Sequence, residues 1–228
     1  MQISSNFDSG NIEVVSADSP ESIRLKIRYD AGGEFFQWFH FRLSGAKDEA
    51  CTLRIENAGE AAYTEGWKDY RACVSYDRQT WFRADTEFDG SNLVIRHTPQ
   101  ADSVYFAYFA PYSMERHHDL VANMQLHPLV SHELLGQTLD GQDMDMLIVG
   151  DEDTAELKLW AIARQHPGES MAEWWMEGAF DFLLDPDNPV AAALMQKAHF
   201  YIVPNMNPDG SRRGHLRTNT AGANLNRE

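Results

Sequence analysis

Residues 157–170 read LKLWAIARQHPGES, and they decide how the second half of the chain folds. An apolar-rich run ends at His166, a Pro-Gly turn follows, and Glu169 stands just before a helix start. This order places an imidazole and a carboxylate together at the C-terminal end of a strand, a common place for a site in an open α/β sheet. Both are good zinc ligands. Alone, the pair is explained at least as well by a structural histidine and a glutamate that a helix N-terminus favours.

The segment after Glu169 has the pattern of a β-α-β unit. Ser170 and Glu173 have the spacing of a capping box, and residues 171–184 are apolar nearly all round, which predicts a largely buried helix. Asn188 followed by proline predicts a second, short helix, and residues 199–203 read as a strand. A strand, two helices and a strand predict a parallel pair with a right-handed crossover, so the second half is predicted to be α/β.

Residues 1–112 read as strands throughout. Segments 22–29, 36–43 and 51–57 alternate polar and apolar residues, as strands with one wet face and one buried face do. Short strands at this spacing predict an antiparallel β-sandwich. We therefore expect an N-terminal sandwich domain at residues 1–112 and a second domain at residues 113–228. The sandwich pattern contains no catalytic constellation, and a carbohydrate-binding sandwich would look similar.

The first part of the second domain carries helix and hairpin signals. Ser113 is a good N-cap for a helix near residues 114–126, and an Asp140-Gly141 pair predicts a hairpin turn. Four histidines lie in this region and suggest a metal cluster: His117, His118, His127 and His132. A metal role is disfavoured, because adjacent residues of a helix point to different faces.

Composition narrows the range of functions. The 228 residues carry a formal net charge of -16, which argues against binding to nucleic acid or to an anionic membrane. The N-terminus has neither the basic nor the apolar region of a signal peptide. Cys51 and Cys73 are expected to be free buried thiols, which is typical of a cytoplasmic protein.

The last segment reverses the charge of the chain. Residues 207–210, Asn-Pro-Asp-Gly, read as a turn. Four of the 19 Lys and Arg residues lie in the last 17 positions: Arg212, Arg213, Arg217 and Arg227. Arginine forks bind carboxylates at two points. This concentration predicts an anion site, with a solvated basic loop as the plainer alternative.

Taken together, these motifs resemble those of the carboxypeptidase A-like zinc metallocarboxypeptidases. The resemblance is carried by the His-Pro-Gly-Glu motif at residues 166–169, the Asn-Pro-Asp-Gly segment, Arg217, and the Asn226-Arg227 pair. The Pro-Gly within the first motif and the leading β-domain are most similar to the cytosolic carboxypeptidase subfamily. The implied fold is an α+β two-domain chain, in which an antiparallel β-sandwich precedes the first part of an α/β zinc-carboxypeptidase domain with a mixed sheet.

The resemblance also implies roles for individual residues. His166 and Glu169 would be zinc ligands, and Arg217 would polarise the scissile carbonyl and stabilise the oxyanion. Asn226 and Arg227 would hold the C-terminal carboxylate of a peptide substrate. The implied reaction is zinc-dependent hydrolysis of the C-terminal peptide bond of peptides or protein tails, with removal of glutamate as one form.

The sequence departs from the family pattern after Arg227. The third zinc ligand of the family, a histidine, and its general-base glutamate lie further along, and the chain ends at Glu228. We therefore expect that these residues are the N-terminal part of a longer protein, and that alone they bind zinc weakly and lack peptidase activity.

Two other functions are left open by the residues alone. One is a non-catalytic binding protein with a degenerate hydrolase domain, and the other is a related zinc amidohydrolase acting on another small amide. The expected partners are a peptide or protein C-terminus and Zn²⁺, with no nucleic acid and no membrane; a homo-oligomer is left open.

Overall fold

The first half of the chain forms strands wherever apolar and polar side chains alternate. The computed structural model describes residues 1–153 and 155–228. In β5, for example, Cys51, Leu53 and Ile55 are buried while the residues between them are half-exposed. Ten strands lie in residues 2–107: β1 (Gln2–Ser4), β2 (Glu13–Ser16), β3 (Ile23–Lys26), β4 (His40–Ser44), β5 (Cys51–Ile55), β6 (Cys73–Ser75), β7 (Phe82–Arg83), β8 (Asp85–Phe88), β9 (Leu93–His97) and β10 (Ser103–Ala107).

These strands form two sheets that share one core, which confirms the predicted sandwich. The orders are β1-β4-β10-β6-β7 and β2-β3-β5-β9-β8. Leu25 and Leu53 of one sheet and Phe41 and Phe106 of the other lie in the same buried cluster. Neighbouring strands are antiparallel except β3 and β5, which are parallel because the chain crosses to the other sheet as β4 between them. Three 3₁₀ turns connect strands, at Pro20–Ser22, Ala58–Glu60 and Thr64–Trp67.

The second half is a mixed sheet with helices, as predicted. Its elements are α1 (Met114–Met124), β11 (Val130–Gln137), β12 (Asp143–Val149), β13 (Leu157–Ile162), α2 (Met171–Leu183), α3 (Pro189–Met195), β14 (Ala198–Val203) and α4 (Pro208–Arg213). The sheet order is β11-β12-β14-β13, with β11, β12 and β14 antiparallel. β13 and β14 are parallel and are joined through α2 and α3, so the predicted β-α-β unit is present.

Two helix starts follow the sequence prediction. The Ser113 side chain accepts a hydrogen bond from the Arg116 N–H at 3.1 Å and caps α1. The Asn188 side chain likewise accepts from the Val190 and Ala191 N–H groups and caps α3. Both caps satisfy backbone donors that have no partner inside the helix.

The prediction for α2 was wrong in two respects. Ser170 is in the helical region, makes no capping bond, and donates its hydroxyl to the Ala110 carbonyl instead. The helix also buries only the side that carries Glu173, Met176 and Phe180, while Trp175 is 65% exposed. The apolar side chains of Met171, Trp175 and Phe182 lie outside this buried side and are exposed, so an apolar pattern all round the helix did not correspond to burial all round.

The Asn-Pro-Asp-Gly segment starts a helix and is more than a turn. Asn207 is the N-cap of α4, and its side chain accepts from the Gly210 N–H at 3.0 Å. The expected domain boundary at residues 112 and 113 falls between β10 and α1. None of the helices in the described residues has both the length and the apolar character that crossing a bilayer requires.

Candidate functional site

The His166–Glu169 turn projects two donor atoms from the end of β13. The Ala163 N–H donates to the Val203 carbonyl, which fixes the exit of β13 beside the end of β14. Three residues later His166 is nearly buried, with its Nδ1 3.1 Å from Oε1 of Glu169. The Glu169 side chain is about half exposed and faces the open side of the turn.

The spacing of this pair fits a zinc ion. In a tetrahedral site with bonds of about 2.0–2.1 Å, two ligand atoms lie roughly 3.3 Å apart. The observed 3.1 Å separation is close to that edge, so both atoms can bind the same ion. Among residues 1–153 and 155–228, no group of three or more His, Cys, Asp or Glu side chains is arranged to hold a metal. The described residues therefore fit zinc as two of its ligands.

Hydrogen bonds on the other side of the imidazole favour the tautomer that a metal requires. His166 Nε2 lies 3.2 Å from Oδ1 of Asn224 and 3.1 Å from Oδ1 of Asn226. Since an amide oxygen only accepts, a proton on Nε2 satisfies these contacts, and a metal ion between Nδ1 and Glu169 would take the Nδ1 lone pair. Asn224 was not singled out from the sequence; its only signal was its place two residues before Asn226.

Arg217 and Arg227 line a cavity beside this turn. The cavity measures about 680 Å³, and its wall also includes His166, Glu169 and Asn224. Its opposite wall comes from the N-terminal sandwich: Phe35, Gln37, Tyr63, Tyr108 and Phe109. Two guanidinium groups near a potential metal site make this cavity suited to a ligand that carries a carboxylate.

Asn226 lies between the metal turn and Arg227. Its Oδ1 accepts from Arg227 Nη1 at 2.8 Å as well as facing His166, and it lines a smaller adjoining cavity with His166 and Glu169. The five residues expected to form the site therefore all line these two adjoining cavities: His166, Glu169, Arg217, Asn226 and Arg227. What each of them does there stays a prediction.

The predicted cluster of four arginines is not present as a cluster. Arg213 forms a two-point ion pair with Asp140, at 2.7 and 2.8 Å, on the exposed side of α4. Arg212 is also exposed and does not line the cavity. Of these four arginines, therefore, Arg217 and Arg227 face the candidate site, and Arg212 and Arg213 lie on the surface away from it.

A buried ionic network behind the turn was not anticipated from the sequence. The fully buried Glu173 carboxylate accepts from Arg164 and, at 3.1 Å, from Asn205 Nδ2, and its Oε1 is 2.8 Å from His117 Nδ1. Arg164 in turn donates to the Pro167 carbonyl at 3.0 Å. This hydrogen bond connects the network to the backbone of the His166–Glu169 turn. The helix carries three acidic residues, Glu173, Glu177 and Asp181, and nothing local in the sequence marks Glu173 as the one that is fully buried.

The network extends from His117 to a second carboxylate. Asp145 contacts both His117 and His132, which accounts for two of the four clustered histidines without a metal. Burial by itself lowers the pKa of His117, but hydrogen bonds to Asp145 and Glu173 and their charges outweigh it and raise the pKa to about 9. The hydrogen bond from His117 lowers the pKa of Asp145.

Two known families match successive parts of the chain. Residues 3–109 match the family described as the cytosolic carboxypeptidase N-terminal domain, and residues 118–228 match the family described as zinc carboxypeptidase. An uncharacterised protein of Zymomonas mobilis is 56% identical over 100% of this chain and 59% of its own length. Cytosolic carboxypeptidase 2 of Homo sapiens is 28% identical over 98% of this chain and 28% of its own length.

Solved structures are similar over the whole chain. A metallo-carboxypeptidase from Burkholderia cenocepacia is 52% identical with a TM-score of 0.96, over 100% of this chain and 61% of the other. A metallo-carboxypeptidase from Pseudomonas aeruginosa, in complex with (2-guanidinoethylmercapto)succinic acid, is 46% identical with a TM-score of 0.96 over the same shares. The chain thus spans about three fifths of the length of these bacterial relatives.

Proposed function

Because the chain belongs to the zinc carboxypeptidases that carry a cytosolic-carboxypeptidase N-terminal domain, we propose that the full-length protein hydrolyses the C-terminal peptide bond of peptides or protein tails. The observation that carries this proposal is the 3.1 Å pairing of His166 Nδ1 and Glu169 Oε1 at the edge of a cavity lined by two arginines. A metal-ligand pair next to positive charge suits hydrolysis of a substrate with a free carboxylate.

In the proposed mechanism, His166 and Glu169 would hold zinc, which when bound would supply Lewis acidity and activation of water. Asn224 and Asn226 accept the Nε2 proton of His166 and thereby keep its Nδ1 free for the metal. Arg217 donates to the oxygen of the scissile carbonyl and meets the negative charge that develops there. Arg227 and Asn226 bind the terminal carboxylate, which restricts cleavage to the last peptide bond.

Several finer points belong to the same proposal. Removal of a C-terminal glutamate rests on the family resemblance, and Arg217 and Arg227 would favour any substrate rich in carboxylates. A cytoplasmic location is supported by the names of the curated relatives. Since residues 1–228 supply two metal ligands, we expect this part alone to bind zinc weakly and to show no turnover.

The compound bound to the Pseudomonas aeruginosa relative provides a probe. It carries a succinic acid group with two carboxylates and a guanidine. We propose that its carboxylates would meet Arg217 and Arg227 in this protein. Competition between this compound and a peptide substrate would place both in the same cavity.

Zinc content and peptide hydrolysis test the proposal together. We expect the full-length protein to contain about one zinc ion per chain, and His166→Ala to lose it, while His118→Ala, an exposed histidine on α1, keeps it. Arg217→Ala should retain zinc and lose about 100- to 1000-fold in kcat, because one oxyanion donor is worth that much. Elemental analysis and assays on peptides ending in Glu, Ala or Lys would measure both.

Other outcomes identify the alternatives. Zinc that remains in His166→Ala contradicts the ligand assignment. Zinc with turnover of small amides but not of peptides indicates a zinc amidohydrolase. Neither zinc nor turnover in the full-length protein indicates a binding protein with a degenerate hydrolase domain.

A further inference from the structure

We propose that the turn at residues 30–35 of the N-terminal sandwich positions Arg217 for catalysis, with Asp30 holding its backbone and Phe35 its guanidinium. This inference rests on the function proposed above, in which Arg217 polarises the scissile carbonyl. It gives the sandwich a part in the active site.

Asp30 collects three consecutive backbone donors of the segment that carries Arg217. Its Oδ1 accepts from the Leu216 N–H at 2.7 Å, and its Oδ2 accepts from the Arg217 and Thr218 N–H groups at 2.7 and 3.0 Å. Asp30 is only 4% exposed. Within residues 1–153 and 155–228 no ion pair involves Asp30, so its charge is stabilised mainly by this ring of N–H groups.

The turn is closed by a backbone hydrogen bond and extends to the Arg217 side chain. The Asp30 N–H donates to the Phe35 carbonyl at 2.8 Å, which closes the turn. The Phe35 ring lies 5.7 Å from the Arg217 guanidinium, in cation–π contact at the wall of the 680 Å³ cavity. One turn of the sandwich therefore contacts both the backbone and the side chain of Arg217.

A close backbone approach locks the two segments together. The Thr218 hydroxyl donates to the Ala31 carbonyl at 3.0 Å. Gly32 and Gly222 both have positive φ, +88° and +82°, and a Cβ on Gly32 would lie 3.2 Å from the Gly222 Cα. Side chains at either glycine would separate the turn from the Arg217 segment.

The same segment is tied on its other side to the metal turn. The Leu216 carbonyl accepts from the Gly168 N–H at 2.9 Å, and Gly168 lies between His166 and Glu169 in sequence. Leu216 is thus bonded to Asp30 through its N–H and to the metal turn through its carbonyl. These two bonds set the distance between Arg217 and the zinc ligands, which is the distance that carbonyl polarisation depends on.

Steady-state kinetics of the full-length protein test this inference. Asp30→Asn keeps one carboxyl oxygen but turns an NH₂ group toward at least one backbone N–H. We expect kcat to fall about 10- to 100-fold, with KM within about twofold and zinc content unchanged, because misplacement by about 1 Å has that effect. The matched control is Asp89→Asn. Asp89 lies in an exposed turn of the sandwich, and its carboxylate also accepts from two backbone N–H groups. This variant should keep wild-type kcat.

A double-mutant cycle separates positioning from general stability. If Asp30 acts through Arg217, Asp30→Asn in an Arg217→Ala background should cause no further loss in kcat. The same fold loss in both backgrounds, or loss of zinc together with kcat, overturns the inference. If Asp30→Asn does not fold, Phe35→Leu takes its place in the cycle: a kcat loss that disappears in the Arg217→Ala background supports the inference, and an unchanged kcat overturns it.

The two proposals fail in different ways. Absence of turnover in the wild type, or wild-type kcat in Arg217→Ala, overturns the proposed function and this inference with it. A large loss in Arg217→Ala beside an unchanged Asp30→Asn overturns the positioning role alone.

Discussion

His117 shows how a single buried residue links three elements of the second domain, since it lies on α1 and contacts Glu173 of α2 and Asp145 of β12. Its imidazole is almost fully buried between the carboxylates of Glu173 and Asp145. Burial opposes its charge, yet the two carboxylates raise the pKa to about 9, so the ring is an imidazolium at neutral pH. Through Glu173 and Arg164 this charge supports the His166–Glu169 turn.

We expect this pairing to make stability dependent on pH above neutrality. Because the folded-state pKa of His117 is raised, its contribution is fully present below its unfolded pKa of about 6.5 and is lost as pH rises through about 9. The shift corresponds to about 3 kcal/mol in the free energy of unfolding. Urea denaturation between pH 6 and 10 should show this fall.

Two histidine variants on α1 provide the comparison. In His117→Asn the fall between about pH 6.5 and 9 should disappear, and the protein should be less stable than the wild type near neutral pH because Glu173 and Asp145 lose a cation. In His118→Asn, an exposed neighbour, the fall should stay. An identical pH profile in His117→Asn and the wild type would contradict the assignment.

At the scale of elements, the turn between β13 and α2 is built around a close contact. Gly168 donates to the Leu216 carbonyl, and a Cβ at this position would lie 2.9 Å from that oxygen and 3.1 Å from the Leu216 Cα. Both neighbours are backbone atoms, which have little room to move. The element that carries the proposed zinc ligands therefore requires a glycine here for space.

Two glycine-to-alanine changes test this contact. Gly168→Ala should destabilise the protein by about 1–3 kcal/mol, because the turn and the Arg217 segment must separate. Gly178→Ala, on the exposed face of α2 where an added Cβ meets nothing within 4 Å, should stabilise by up to about 1 kcal/mol. Thermal denaturation of both variants gives the comparison, and equal effects would show that Gly168 is not constrained.

At the scale of the molecule, the sandwich and the second domain share backbone and side-chain hydrogen bonds. Asn11 Nδ2 donates to the Gly214 carbonyl at 2.8 Å, and the Ser9 N–H donates to the Arg212 carbonyl at 2.8 Å. Asp8 accepts from the Met114 N–H at the start of α1. With Asp30, these contacts reach both ends of the second domain.

We therefore expect that the second domain does not fold without the sandwich. A chain of residues 113–228 would leave the donors of Leu216, Arg217 and Thr218 without their acceptor and would expose the cavity wall. Near-ultraviolet circular dichroism should show fixed aromatic packing in residues 1–228 and none in residues 113–228. Native-like packing in the shorter chain would contradict the expectation and would support two independent domains.

Features that depend on neighbouring residues could be predicted from the sequence. The caps at Ser113 and Asn188, the Asp140-Gly141 hairpin and the parallel pair of β13 and β14 follow from short-range hydrogen bonding and hydrophobic period. The His166–Glu169 motif could be found in the same way, since its two donors lie three residues apart. The sandwich followed from the alternation of its strands.

Only the tertiary structure decided which charges share a buried environment. Glu173 has a capping-box position in sequence, but burial next to Arg164 and His117 makes it the centre of an ionic network. Arg213 and Arg217 are four residues apart, yet one pairs with Asp140 on the surface and the other faces the cavity. Asp30 reaches the segment 186 to 188 residues further along the chain. The physical reason is that local propensity acts over a few residues, whereas desolvation, charge pairing and the satisfaction of backbone donors depend on what the whole fold brings together.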